Sequence, residues 1–167
     1  MKYTSAEAAK LLKALNEQHE MLVERESQSS SFIAALSEDI ETVRPEYDYS
    51  ETRAQLEEIE RKIRIVKHAI NVFNTTHTVP GFDMTIDEAL VYMPQLSERK
   101  RRLYPMSLAL PKKRERGGAQ SNIIDYRYAN YDVSTAAADM TAAGDMLARL
   151  HTALDIVNTT ETMEIEF

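Results

Sequence analysis

Residues 50–73 read SETRAQLEEIERKIRIVKHAINVF, and within this stretch Leu56, Ile59, Ile63, Val66, Ile70 and Phe73 recur in steps of three and four. An α-helix turns once in about 3.6 residues, so that stepping gathers the six side chains into one stripe. The spacing predicts a long amphipathic helix with coiled-coil-like stepping. Its polar face offers Glu57 with Arg61, Glu58 with Lys62 and Glu60 with Arg64. Each acid precedes its base by one turn, the separation at which helical side chains meet.

The same stepping returns near the end of the chain in Met140, Ala143, Leu147, Leu150, Leu154 and Val157, each 84 residues after its counterpart. The flanks keep the offset: Tyr47-Asp48-Tyr49-Ser50 becomes Tyr131-Asp132-Val133-Ser134. Asn74-Thr75-Thr76-His77-Thr78 likewise becomes Asn158-Thr159-Thr160-Glu161-Thr162. Two shorter helices match as well. Thr4 with Glu7 and Thr85 with Glu88 form capping boxes, in which the threonine oxygen and the glutamate satisfy N–H groups left open by a first helical turn. From the first box Ala8, Leu12, Leu15, His19 and Leu22 form a seam; from the second, Ile86, Leu90, Met93 and Leu96 do.

These signals predict a mainly α fold with helices over 5–28, 50–74, 86–104 and 134–157, with Pro94 and Pro105 bending or ending the third. Pairing short with long gives two duplicated antiparallel hairpins about a pseudo-twofold axis, in a single domain of two repeats, about 1–80 and 81–167. A small antiparallel β element is expected from the alternating residues 122–128 and 162–167, with residues 30–34 as a further edge. The long helices also carry a second apolar row, Ile65, Ala69 and Val72 in one and Ala153 and Ile156 in the other. One seam cannot cover both rows, so the second is expected to meet the other hairpin or another subunit.

Composition bounds the function. The 167 residues carry 43% apolar and 28% charged side chains and a net charge of -7, which suits a globular protein and argues against a whole-surface affinity for polyanions. With no cysteine, thiolate metal sites, disulfides and cysteine nucleophiles are excluded. Lys2, Lys10 and Lys13 interrupt any apolar leader, and no run is long enough to span a bilayer, so a cytoplasmic location is expected.

No catalytic, cofactor-binding or metal constellation is legible. A ferritin-like di-iron site needs Glu three residues before a bundle histidine. Asn16, Ile65, Asn74 and Ala148 stand three residues before His19, His68, His77 and His151. His19 reads as a hydrogen-bonded seam histidine, and His68 and His151 as cations favoured near helix C-termini. Asn74 and Asn158 read as residues that end the long helices in left-handed backbone. Neither a nucleophile elbow nor a phosphate-binding glycine loop occurs.

One charged stretch stands out. Arg99, Lys100, Arg101, Arg102, Lys112, Lys113, Arg114 and Arg116, offset by Glu98 and Glu115, make residues 97–118 net +6, leaving the remainder net -13. Three readings stay open. The arm could hold phosphate backbone with Tyr104, Tyr126 and Tyr128 stacking on bases. It could dock on the acidic remainder of a second subunit. It could also be a solvated loop, as Pro105, Pro111, Gly117 and Gly118 suggest.

The segments MKYTSAEAAKLLKALNEQHE (1–20), RPEYDY (44–49), KHAINVFNTT (67–76), VPGFDMTIDEALVYMPQL (79–96) and IIDYRYANYD (123–132) resemble an uncharacterised bacterial family often labelled septicolysin. The likeness covers most of the chain and is loosest over 104–120. It implies a helical protein, and its label implies a membrane-active oligomer, but it transfers no catalytic residue. The residues themselves point first to a non-enzymatic helical interaction protein that forms a homo-oligomer. Nucleic-acid binding through the 99–116 arm is the alternative.

Overall fold

A computed structural model describes residues 1–115 and 124–167. The chain divides into two compact units, Met1–Thr76 with Val157–Phe167, and His77–Ile156.

In the first unit, strand β1 (Lys2–Thr4) leads into helix α1 (Ser5–Ser29) through the expected box. The Glu7 amide donates to Thr4 Oγ1 at 3.2 Å, and the Thr4 amide donates to the Glu7 carboxylate at 2.8 Å. That second bond, then the threonine hydroxyl, holds Glu7 below the usual carboxylate range. A connector bearing the short helix α2 (Ile40–Val43) leads to helix α3 (Tyr49–Thr76), which packs along α1. Ala8 and Leu15 of α1 and Val66 and Phe73 of α3 are buried. Full burial of side chains the size of Leu15, Val66 and Phe73 contributes roughly 1.5–3 kcal/mol each.

The second unit starts with a turn in which Thr78 bridges Thr85 and Gly81 adopts φ 78°, a left-handed angle that glycine takes without steric cost. Helix α4 (Ile86–Ser107) begins at the second capping box, followed by strands β2 (Lys112–Arg114) and β3 (Tyr126–Tyr128) and helix α5 (Val133–Thr160). Helices α4 and α5 lie antiparallel. Ser107 donates to Met140 Sδ at 3.5 Å, and the Lys100 stem passes within 3.9 Å of where a Cβ on Gly144 would stand. Ile86, Ala89, Leu96, Ala136, Ala143 and Leu150 are buried. The last turn of α5 and strand β4 (Thr162–Glu164) belong to the first unit, where β4 pairs antiparallel with β1, Tyr3 opposite Met163.

The mainly α architecture stands as the spacing predicts. Helices α3 and α5 are both 28 residues long, and their first and last residues are each 84 apart. Burial follows that offset: Val66 and Leu150 are both fully enclosed, and Phe73 and Val157 nearly so.

Several local expectations are corrected. Neither Pro94 nor Pro105 ends α4, which runs through both to Ser107. Leu90 is 48% exposed and Ala89 takes its place in the seam, because the row through Ile86, Met93 and Leu96 drifts backward around the helix, away from position 90. Neither Asn74 nor Asn158 ends its helix, and among the described residues none but glycine has positive φ. Thr75 and Thr76 instead turn their hydroxyls back onto the Asn71 and Val72 carbonyls one turn earlier, at 2.7–3.0 Å, a second bond to acceptors within the helix. Among the described residues the β element is two separate two-stranded sheets, β1 with β4 and β2 with β3. Residues 30–34 form no strand, while β1 and β2 were not legible as strands. Of the expected strand 122–128, residues 122 and 123 lie outside the described residues.

Of the three expected salt pairs Glu58 with Lys62 forms, and the other two shift. Glu58 takes both Arg61, at 2.8 Å, and Lys62, at 3.4 Å; Glu57 pairs backward with Arg53 at 3.0 Å; and Glu60 faces His19 across the hairpin at 3.4 Å.

Candidate interaction surfaces

The basic stretch divides between two elements. Arg99, Lys100, Arg101 and Arg102 stand exposed on the later turns of α4, and Lys112, Lys113 and Arg114 stand exposed on β2; Arg116 lies outside the described residues. Arg101 is held by Glu98 at 2.6 Å. Strand pairing places Lys112 opposite Tyr128 and Arg114 opposite Tyr126, so these four side chains share one face, with Lys113 and Arg127 on the other. The Lys112 ammonium sits 4.2 Å from the Tyr126 ring and 5.3 Å from Tyr128, so it covers one face of each ring through cation–π attraction. Arg127 pairs with Glu115, whose carboxyl is held below its usual range by that bond first and by the arginine charge next.

Between this ribbon and the end of α4 lies a groove of about 600 Å³, walled by Leu108, Leu110, Tyr128 and Tyr131, with Lys113 and Arg127 among its lining. The Tyr131 hydroxyl donates to the Met106 carbonyl at 3.1 Å, and the Ala129 amide donates to Pro111 at 3.1 Å; together they fix the two walls. Next in the chain, Asp132 opens α5 by accepting the Ser134 amide at 2.8 Å and its hydroxyl at 2.6 Å. The hydroxyl contributes most to holding Asp132 below the usual carboxylate range.

The matching end of the first hairpin has a smaller groove, about 200 Å³, and the opposite character. Glu26, Glu46, Asp48 and Glu51 line it with Arg25 and Tyr47. The Tyr47 hydroxyl donates to Glu26 at 2.9 Å, and partial burial, then that bond to a carboxylate, holds the phenol above its usual range.

The second apolar row is unevenly exposed. On α3, Ile65 and Ala69 are half-buried and Val72 is 46% exposed, while on α5 Ala153 is buried and Ile156 is half exposed. Ala153 and Ile156 line a shallow groove of about 400 Å³ with Pro80, Gly81 and Phe82, and the Arg149 guanidinium lies 5.6 Å over the Phe82 ring.

The most exposed apolar side chains were missed by sequence reasoning. Within the first connector Phe32, Ile33, Leu36, Ile40 and Val43 all face solvent, with Ile33 96% exposed and Leu36 completely so. Their sequence signal is the apolar content of a stretch with no helical stepping, which reads equally well as a strand.

Among the described residues no cluster of three or more His, Asp and Glu side chains is placed to hold a metal ion, and no helix is long and apolar enough to cross a membrane.

No protein-family model matches the chain, and no curated protein matches it. A solved structure of a functionally unknown conserved protein from Corynebacterium diphtheriae is similar, with a TM-score of 0.62 and 17% identity over 98% of this chain and 100% of that one. At that identity the likeness speaks for the fold alone.

Proposed function

We propose that this chain is a non-enzymatic helical interaction protein that self-associates. The observation that carries the reading is the exposure of large apolar side chains, above all Ile33 and Leu36. Clustered apolar surface of this kind marks a contact site more often than an idle one, and the half-exposed Val72 adds to it. Sedimentation velocity and light scattering at micromolar concentration test the proposal. A concentration-dependent rise in mass supports it, and a strict monomer overturns it.

A nucleic-acid partner is the second reading, favoured by the exposure of all seven described Lys and Arg side chains between Arg99 and Arg114. Its mark is oligonucleotide binding whose affinity falls steeply with salt and is lost on charge reversal at Arg99 and Arg102.

A further inference from the structure

The two connector ends are complementary in charge and alike in being apolar. The first connector, residues 30–48, holds Glu38, Asp39, Glu41, Glu46 and Asp48 against Arg44 alone, net -4. The second, residues 108–132, holds Lys112, Lys113, Arg114, Arg116 and Arg127 against Glu115, Asp125 and Asp132, net +2.

The first connector is held by its own bonds. The Ala35 amide donates to the Glu38 carboxylate at 2.8 Å, and the Glu38 amide donates back to the Ala35 carbonyl at 3.0 Å. Asp39 accepts the Glu41 amide at 3.1 Å to start α2, and the Arg44 guanidinium lies 5.9 Å over Phe32. Ile33 and Leu36 are thereby presented outward with three carboxylates beside them. The groove between Leu108 and Tyr131 offers the converse, a recess in which Leu108 and Leu110 stand beside Lys113 and Arg127.

We propose that the connector 32–43 of one molecule docks in the groove between Leu108, Leu110 and Tyr131 of a second copy, Ile33 and Leu36 entering the recess and Glu38, Asp39 and Glu41 facing Lys113 and Arg127. This rests on the self-association reading and specifies its geometry. Like surfaces repel, connector against connector setting acid against acid and groove against groove base against base, so the contact joins connector to groove. Each molecule gives a connector and receives one, so the assembly is a reciprocal twofold dimer, a larger ring or a filament.

Complementation tests the geometry. The connector variant Ile33→Asp/Leu36→Asp keeps an intact groove, and the groove variant Leu108→Asp/Leu110→Asp keeps an intact connector. All four positions are exposed, so far-ultraviolet circular dichroism should stay that of the wild type. Each variant alone should associate at least about 30-fold more weakly than wild type, whereas an equimolar mixture should form a closed one-to-one dimer in sedimentation velocity. A second pair, Glu41→Lys and Lys113→Glu, spares the turn bonds of Glu38 and Asp39; each variant alone should associate more weakly, and their mixture, which sets opposite charges together at both contacts, should recover wild-type assembly. Wild-type association by either variant alone, or a mixture that stays monomeric, overturns this geometry and leaves self-association standing. A wild-type protein that is itself monomeric overturns both.

Discussion

The connectors at 30–48 and 108–132 join helices built on the same apolar stepping, yet one is acidic with a short helical turn and the other basic with a β-ribbon. The helices they join differ far less: Val66 and Leu150 occupy matching positions and both are wholly enclosed. The seam must satisfy packing at every turn, so its residue types are tightly restricted. A connector has only to span from one helix end to the next and keep its backbone bonded, which leaves its outer surface open to other uses. The contrast places structural constraint in the helices and whatever specificity the molecule has in the connectors.

The contrast breaks most readily in the core. Phe73→Ala should cost about 3–5 kcal/mol and Leu150→Ala about 2–5 kcal/mol, read by chemical denaturation, because both remove side chains that nothing can collapse to replace. In the connector Leu36→Ala should change stability by no more than about 0.5 kcal/mol, since the side chain is fully exposed. A large loss at Leu36 would mean that the connector supports the fold after all.

The turn before α4 gives the next effect. A Cβ added at Gly81 would meet no atom within 4 Å, so substitution there tests backbone alone. Gly81→Ala should destabilise by roughly 1–2 kcal/mol, the cost of left-handed backbone in a residue with a side chain. The threonine caps then sharpen the comparison between the two short helices. Thr4→Ala and Thr85→Ala should each cost about 1 kcal/mol and by similar amounts, since both boxes have the same bonds within 0.1 Å. Unequal losses would show that the two helix starts carry different loads.

How far this was legible follows from the same contrast. Helical stepping is a periodic signal over many turns, and it placed α3 and α5 to within a few residues. Capping boxes are short but chemically specific, and both formed. The ends were harder: a threonine hydroxyl bonding back to the Asn71 carbonyl and an asparagine in left-handed backbone leave the same letters in the sequence. Strands β1 and β4 are far apart in the chain, so nothing local to Lys2–Thr4 announced its partner. For the basic stretch, charge was visible, but its division between α4 and β2 depends on where the helix stops, and α4 runs through a proline that would ordinarily end it. The exposure of Ile33 and Leu36 depends on the turn fixed by Glu38, which carries no periodic mark.

Acid separates the long helices in a way that needs no core substitution. Bonding to Arg61, with a smaller contribution from Lys62, lowers the Glu58 carboxyl from its ordinary 4.5 to about 2. A carboxyl whose folded value is depressed binds its proton more readily in the unfolded chain. Its contribution is therefore complete above pH 4.5 and is lost as the pH falls toward about 2. The position 84 residues later is Ala142, with Asp145 and Met146 where Arg61 and Lys62 stand, so α5 has no corresponding pair. Thermal melting across that interval should show a fall in midpoint that Glu58→Gln makes shallower. A slope that Glu58→Gln leaves as steep as in the wild type would place the acid sensitivity elsewhere in the chain.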